Sequence, residues 1–342
     1  MKQIALDTRV TRHFSVGMQR YNAELSHWLP QVAPDLELRF FARGSAFSFA
    51  EQVELPLAML RSRAAFVHHL SLYAPLCPSL PVIVTIHDLI HLRYPEQFKP
   101  QVQAYYRWVV GPLSRRALRI ITDDEKTVDD VMRFLGVAER KIRVIPLGVS
   151  STFLAPEFAP NPCPVSRPYL LYAGNRRPHK DLATAFAAWA SLPDEIEDDF
   201  WLTGSDDVSL SLPRTRPNGA RVCFLGELSD EQLARTLHQA RALVYPSHCE
   251  GFGLPLLEAL SVGTPVIASS AALPGILRGY AISCPPGDIM AFRHAIIDLP
   301  QSDFQERTAR RAYSASFTWE RCARATADLY REVLEEMCAS SG

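Results

Sequence analysis

The sequence has no apolar run approaching the roughly 20 residues needed to cross a bilayer, so no spanning helix is expected among its 342 residues. Its opening, MKQIALDTRV, carries a basic residue but no apolar stretch of signal-peptide length, and it alternates as a first strand does. The expected location is therefore the cytoplasm. No C-x-x-C pair occurs. The seven cysteines, at 77, 163, 223, 249, 284, 322 and 338, are odd in number and scattered, which fits reduced thiols and not disulfides or a zinc site. An excess of charge is lacking too: 36 Lys+Arg against 37 Asp+Glu leaves a net −1, so no global field attracts nucleic acid.

What is present is the composition of a soluble globular protein, 47% apolar and 21% charged. At roughly 100–200 residues per domain, the length calls for two cores. Short apolar runs bounded by turn residues alternate with stretches of helical period, the pattern of parallel strands with helical crossovers. In the first half strands are expected at 3–7, 37–42, 65–70, 82–87, 119–122 and 143–146, with helices at 17–29 and 102–117. Between residues 150 and 168 the periodicity vanishes and prolines accumulate at 156, 160, 162, 164 and 168, marking a semi-extended connector. A second series follows, with strands at 169–173, 200–203, 221–225, 242–245 and 265–268 and helices at 181–192, 230–240 and 254–262. A segment at 292–299 and a helix around 303–316 come next, and then an amphipathic helix that Thr318 can cap. The expected fold class is α/β, two Rossmann-like parallel-sheet domains facing a central cleft, because ligands in such sheets lie outside the carboxyl ends of the strands. The boundaries are 1–152, a Pro-rich linker 153–167, 168–316, and a C-terminal helix 317–342.

The segment HCEGFGLPLLEAL, residues 248–260, joins an apolar strand to a helix through Glu250, Gly251, Phe252 and Gly253. Leu254 opens the helix, and Pro255 sits in the first turn, where its missing N–H costs nothing. Such a helix opening presents unpaired amides and about half a positive charge, and so accepts a diphosphate without a side chain. Glu250 and Glu258 flank it. A carboxylate that accepts two hydrogen bonds suits a vicinal diol, and diols flank the diphosphate of a nucleotide sugar on both its hexose and ribose sides. A nicotinamide dinucleotide fits poorly: the third glycine of the fingerprint is missing, and no acidic residue closes the strand about 20 residues on. Helix capping alone accounts for Glu258 but not for Glu250 together with the glycines.

YLLYAGNRRPHKDLATAF, residues 169–186, repeats the theme with a basic loop. Lys180 is placed as a point charge for the diphosphate and Arg176 or Arg177 as a forked donor, stabilising the leaving nucleotide as its charge grows. In the first half, PVIVTIHDLI leaves His87 at the end of a strand, where Asp88 either orients the imidazole or caps the following turn. Gly17, at the start of the first helix, offers a bare amide to phosphate.

Together these segments resemble the retaining glycosyltransferases of the GT-B fold, family four. The likeness extends over nearly the whole chain and is strongest in the E-x7-E stretch PSHCEGFGLPLLEALSVGTPVIAS. GNRRPHKDL, TIHDLIHLRYPEQF, KIRVIPLGV and FTWERCARATADLYREV are similar to their counterparts in bacterial polysaccharide mannosyltransferases. The resemblance implies an acceptor side in the first domain, a sugar-nucleotide side in the second, and a C-terminal helix crossing back to the first. It implies catalytic roles for His87, Lys180 and Glu250, with His87 near the reacting sugar. It places Glu250 on the donor hexose, Glu258 on the ribose, Lys180 on the diphosphate, Phe252 and Gly253 beside the donor, and Gly17 opposite it. Asn175 stands where many members have arginine.

The expected activity is metal-free transfer, with retention, of a hexose, mannose from GDP-mannose, to a lipid-linked glycan of a surface polysaccharide. No cofactor or metal is expected beyond the nucleotide sugar. The expected partners are that donor, a glycan or lipid-linked oligosaccharide acceptor, and an anionic membrane face met by Arg61, Arg63, Arg115 and Arg116; nucleic acid is not among them. A non-catalytic sugar-nucleotide-binding protein and a nucleotide-sugar epimerase of the same fold are the competing readings.

Overall fold

Apolar runs of three to five residues recur through the chain, and in the computed structural model most of them form strands, the inner ones of each sheet buried. The structure describes residues 3–9, 15–42, 48, 50–155, 166–206, 214–300 and 304–340. The chain divides into two compact units, Met1–Gly148 with Thr318–Gly342, and Val149–Phe317. The Pro-rich stretch within the expected linker, residues 156–165, lies outside the described residues.

In the first unit six strands, β1 (Gln3–Asp7), β2 (Glu37–Phe41), β3 (Phe66–His69), β4 (Val82–Ile86), β5 (Arg119–Thr122) and β6 (Ile142–Val144), form one sheet ordered β2-β1-β3-β4-β5-β6. Every pairing is parallel. The central strands are buried along most of their length because helices cover both faces of the sheet, and their polar residues, His68, His69, Thr85 and Thr122, are buried with them. Those helices are α1 (Val16–Val32), α2 (Leu55–Arg61), α3 (Ile90–Arg93), α4 (Pro100–Tyr105), α5 (Gly111–Arg116) and α6 (Glu125–Asp130). Helices were expected between several of these strands, and α2, α3 and α6 are among those to which the sequence pattern gave no bounds. The single helix expected over 102–117 is instead α4 and α5 joined by a wider turn, Tyr106–Val110. Pro112 is the physical cause: its ring clashes with the carbonyl four residues back and it lacks an N–H, so the helix widens there. Val67, Val84, Ile86, Val110, Ile120 and Val131 form part of the core.

The second unit contains β7 (Tyr169–Tyr172), α7 (Leu182–Ala190), β8 (Asp199–Leu202), β9 (Val222–Phe224), α8 (Asp230–Gln239), β10 (Ala242–Tyr245), α9 (Leu254–Ser261), β11 (Val266–Ser269), β12 (Ile282–Cys284), α10 (Ile289–Ile297) and α11 (Phe304–Ser314). Its sheet, ordered β12-β11-β10-β7-β8-β9, is again parallel throughout. Leu170, Tyr172, Phe186, Trp189, Phe200, Val244 and Phe292 fill its core. At about 1.5–3 kcal/mol per fully buried large apolar side chain, these residues dominate the unit's stability.

The last helix, α12 (Trp319–Ala339), starts on the expected cap, where Thr318 Oγ1 accepts from the Arg321 amide at 3.2 Å. It belongs to the first unit. Tyr330 OH lies 2.5 Å from His68 Nδ1 of β3, Arg119 of β5 meets Glu332 at 3.1 Å and also pairs with Glu336, and Arg143 meets Glu332 at 2.6 Å. The expected architecture, two Rossmann-like sheets with the C-terminal helix returned to the first, is therefore present.

Candidate active site

In the second unit the sheet order reverses between β7 and β10, the first strand and its neighbour on the other wing. Ligands of open α/β sheets lie at such a switch point, outside the carboxyl ends of the strands. The two loops emerging there carry the residues singled out from the sequence. After β7 the chain turns at Gly174, whose φ of +143 admits little but glycine. It then makes a tight turn, Pro178–Lys180, before Asp181 caps α7 by accepting from the Thr184 amide at 3.3 Å. After β10 the chain runs through Ser247–Gly253 into α9. The loops are joined: the His248 amide donates to the His179 carbonyl at 2.7 Å, Ser247 Oγ donates to the same carbonyl at 3.1 Å, and His248 Nε2 lies 3.1 Å from Asp181 Oδ2.

Between the loops, Lys180 Nζ donates to both oxygens of Glu250, at 2.6 and 2.8 Å, and to Tyr245 OH at 3.0 Å. The Lys180 and Glu250 side chains are only 12% and 9% exposed. Glu258, on the fifth residue of α9, is buried. Burial first, and then the charges of Glu250 and Glu258, hold the Tyr245 hydroxyl well above its usual range. Both glutamates of the E-x7-E stretch thus act on one phenol at the end of β10.

Gly253 occupies the cap position of α9 in the left-handed region, φ +74 and ψ 56, and offers the helix no side-chain cap. Among the described residues none accepts a hydrogen bond from the amides of Gly251, Phe252 or Gly253. Leu254 and Pro255 form the first turn. This corner therefore presents main-chain donors and a helix dipole to an anion.

The two arginines of the β7 loop are placed differently. Arg176 donates to the carbonyls of Thr203 at 3.1 Å and Ser205 at 2.5 Å, and its guanidinium lies 5.4 Å from the centre of the Phe224 ring. Arg177 is exposed, and among the described residues its side chain meets no partner.

In the first unit His87 follows β4, and its Nδ1 lies 2.7 Å from Oδ2 of Asp123, the residue after β5. Of the two roles open to Asp88, the structure shows the turn cap: its Oδ1 accepts from the Ile90 amide at 3.2 Å. Asp123 is the carboxylate that holds the imidazole. Sequence reasoning missed it, although the three acidic residues closing RIITDDE, residues 119–125, are a signal once β5 is known to lie beside β4. Tyr21 of α1 packs edge-on to the imidazole, ring centroids 4.6 Å apart. Burial alone would lower the His87 pKa, but the Asp123 charge and hydrogen bond outweigh it and hold the imidazole above its ordinary 6.5. Among the described residues no group meets the buried His87 Nε2 at normal hydrogen-bond geometry, although the Leu70 backbone acts on the imidazole.

Behind His87 runs a buried chain: Tyr21 OH to Thr85 Oγ1 at 2.9 Å, Thr85 Oγ1 to His68 Nε2 at 2.8 Å, and His68 to Tyr330 of α12. A second ionic cluster closes β1 and β3, where Asp7 meets Arg9 at 2.7 Å and His69 at 2.8 Å, and Arg9 meets Glu51 at 2.9 Å. Gly17 is the second residue of α1, beyond the cap formed by Ser15. Among the described residues no group of three His, Cys, Asp or Glu side chains is arranged to hold a metal ion.

The chain matches the family description "Glycosyltransferase Family 4" over residues 16–153 and "Glycosyl transferases group 1" over residues 156–315. It is 28% identical over 266 residues to the O-antigen chain mannosyltransferase B of Escherichia coli, covering 73% of this chain and 70% of that protein. It is 29% identical over 273 residues to the glycogen synthase of Mycobacterium tuberculosis, covering 73% of this chain and 63% of the relative. The solved sucrose-phosphate synthase of Thermosynechococcus elongatus shares the fold, with a TM-score of 0.69 at 20% identity over 98% of this chain and 100% of that one. With the family 4 description on its first half, the group 1 description on its second, and a Rossmann-like parallel sheet in each of its two units, the chain is a glycosyltransferase of the GT-B fold.

Proposed function

We propose that the protein is a retaining, metal-independent hexosyltransferase that moves mannose from GDP-mannose to a lipid-linked glycan in surface polysaccharide synthesis. The observation that carries this reading is the corner at the β7/β10 switch, where Lys180, Glu250 and the amides of Gly251–Gly253 converge. Lys180 and the amides hold the diphosphate, Glu250 the hexose hydroxyls, and Glu258 the ribose. Arg177 is the second cation, since Arg176 already serves two carbonyls. The bond from the sugar anomeric carbon to the diphosphate breaks, the acceptor oxygen bonds to that carbon from the same face, and the acceptor proton passes to a leaving diphosphate oxygen. Similarity to an O-antigen chain mannosyltransferase supports mannose and a polysaccharide-chain acceptor. The similarity to a glycogen synthase makes glucosyl donors the comparison to run.

The test is release of nucleoside diphosphate from GDP-mannose and UDP-glucose, with and without membrane lipid extract, in the presence of EDTA. Acceptor-dependent release from GDP-mannose is expected. Turnover of UDP-glucose alone overturns the donor, conversion without acceptor favours an epimerase, and binding without turnover favours a non-catalytic protein.

We further propose that the first unit rests on the inner face of the cytoplasmic membrane. No described helix is long and apolar enough to cross a membrane. The turn and helix over 50–61 expose Val53, Leu57 and Leu60 at helical spacing, and Arg61 and Arg63, both exposed, follow. Arg116 is exposed as well, whereas Arg115 donates to the Leu135 carbonyl at 3.0 Å. Basic residues beside exposed apolar ones bind anionic lipid at about 1 kcal/mol per charge. Sedimentation with anionic vesicles, reduced by Arg61→Gln with Arg63→Gln, is expected; unchanged sedimentation contradicts it.

A further inference from the structure

Lys180 has three ammonium protons, and all are spent: two on Glu250 at 2.6 and 2.8 Å and one on Tyr245 OH at 3.0 Å. Both charged side chains are largely buried, so water is a poor substitute for a lost partner. A diphosphate gains Lys180 only by drawing protons away from Glu250, and the carboxylate released must then find other donors. A buried charge deprived of its partner is strongly unfavourable, more so than the pair itself is favourable.

The geometry points to a role for this ion pair in separating the substrate from its own product. This inference rests on the donor placement proposed above. An intact nucleotide sugar repays the exchange on both sides, because its diphosphate takes Lys180 and its hexose hydroxyls donate to Glu250. A nucleoside diphosphate repays only one side. It satisfies Lys180, leaves Glu250 only the Tyr245 hydroxyl as a donor, and brings further negative charge beside that carboxylate. Once the hexose has moved to the acceptor, Glu250 loses its hydroxyl partners and reclaims Lys180, which loosens the diphosphate. Glu250 thus favours the donor and disfavours the product at the same site, and Tyr245 keeps the ammonium within reach of both.

The experiment is calorimetric titration of the full chain, wild type and Glu250→Gln, with GDP and GDP-mannose, and with UDP and UDP-glucose as a second pair. Glutamine keeps the shape and removes the charge that competes for Lys180. The variant is expected to bind the nucleoside diphosphate at least about tenfold more tightly, the change that about 1.4 kcal/mol represents, while the nucleotide sugar binds no better or worse. Lys180→Gln is expected to weaken both ligands together. Should Glu250→Gln not fold, Glu250→Asp, whose shorter carboxylate lengthens the contact, is expected to shift the same ratio in the same direction. Loss of both ligands in equal proportion, or a diphosphate affinity unchanged by removing the carboxylate, overturns the inference and leaves the donor site standing. Failure of the wild type to bind either pair overturns the donor placement and this inference with it.

Discussion

Replacing Gly253 by alanine tests whether the opening of α9 is as constrained as its geometry requires. At φ +74 an L residue meets the left-handed penalty, about 1–2 kcal/mol. The added Cβ would stand 2.9 Å from Leu256 Cδ1 and 3.4 Å from its Cγ. Leu256 is fully buried, so moving its Cδ1 aside means repacking the core around it. Forcing such a core to repack costs about 1–3 kcal/mol, so the substitution should destabilise the second unit by about 2–5 kcal/mol in all. Gly226 supplies the control: its φ is +69, but nothing lies within 4 Å of a Cβ there, so Gly226→Ala should cost only the backbone part, about 1–2 kcal/mol. Calorimetric unfolding of both full-length variants, with nucleotide titration alongside, measures the difference. Gly253→Ala should unfold at the lower temperature and bind GDP-mannose more weakly, because the amides before α9 shift with the cap. Equal losses of stability in the two variants would refute the steric part of the reasoning.

Three further outcomes are expected. Burial first, then the neighbouring His69 and His87 charges, lower the His68 pKa to about 3; the unfolded chain takes up that proton near 6.5, so stability falls with pH below 6.5 at up to about 1.4 kcal/mol per pH unit. Wild type should therefore lose about 2 kcal/mol more than His68→Gln between pH 7 and pH 5, and parallel stability curves would contradict it. The His87 imidazole, raised by Asp123, should titrate above 6.5 in an NMR pH series; in Asp123→Asn burial is opposed only by the smaller effects of the Asp88 charge and the Leu70 backbone, so the titration should move down. Because this folded value is raised, the pair's stabilisation is full below the unfolded 6.5 and fades as pH climbs through the folded value; an unmoved titration would contradict it. Arg177→Ala should weaken nucleotide binding with little change in melting, whereas Arg176→Ala should lower melting by freeing the Thr203 and Ser205 carbonyls; the reverse pattern would exchange their roles.

The strands were legible because parallel sheets covered on both faces read as unbroken apolar runs, as in VIVTI of β4 and YLLY of β7. β12 was not, since its three residues lie at a sheet edge with Ile282 and Ser283 exposed, leaving no apolar run to find. The widened turn at 106–110 could be traced to Pro112, but propensity alone reads past it. At the site, the residue types and the strand-to-helix turn at Glu250–Gly253 were readable from spacing. The partnerships were not, because they depend on which strands become neighbours. Lys180 meets Glu250 70 positions away only because β7 lies beside β10, and His87 meets Asp123 36 positions away only because β4 lies beside β5. Asp88, adjacent in sequence to His87, was the natural candidate; local geometry turns it to the Ile90 amide instead.

The most direct measurement is a crystal structure of the full chain with GDP-mannose bound. The account predicts the diphosphate against the Gly251–Gly253 amides and Lys180, hexose hydroxyls on Glu250, and a Lys180–Glu250 contact longer than 2.6 Å. A nucleotide sugar seated away from the β7/β10 corner, with Lys180 and Glu250 still bound to each other, would contradict it.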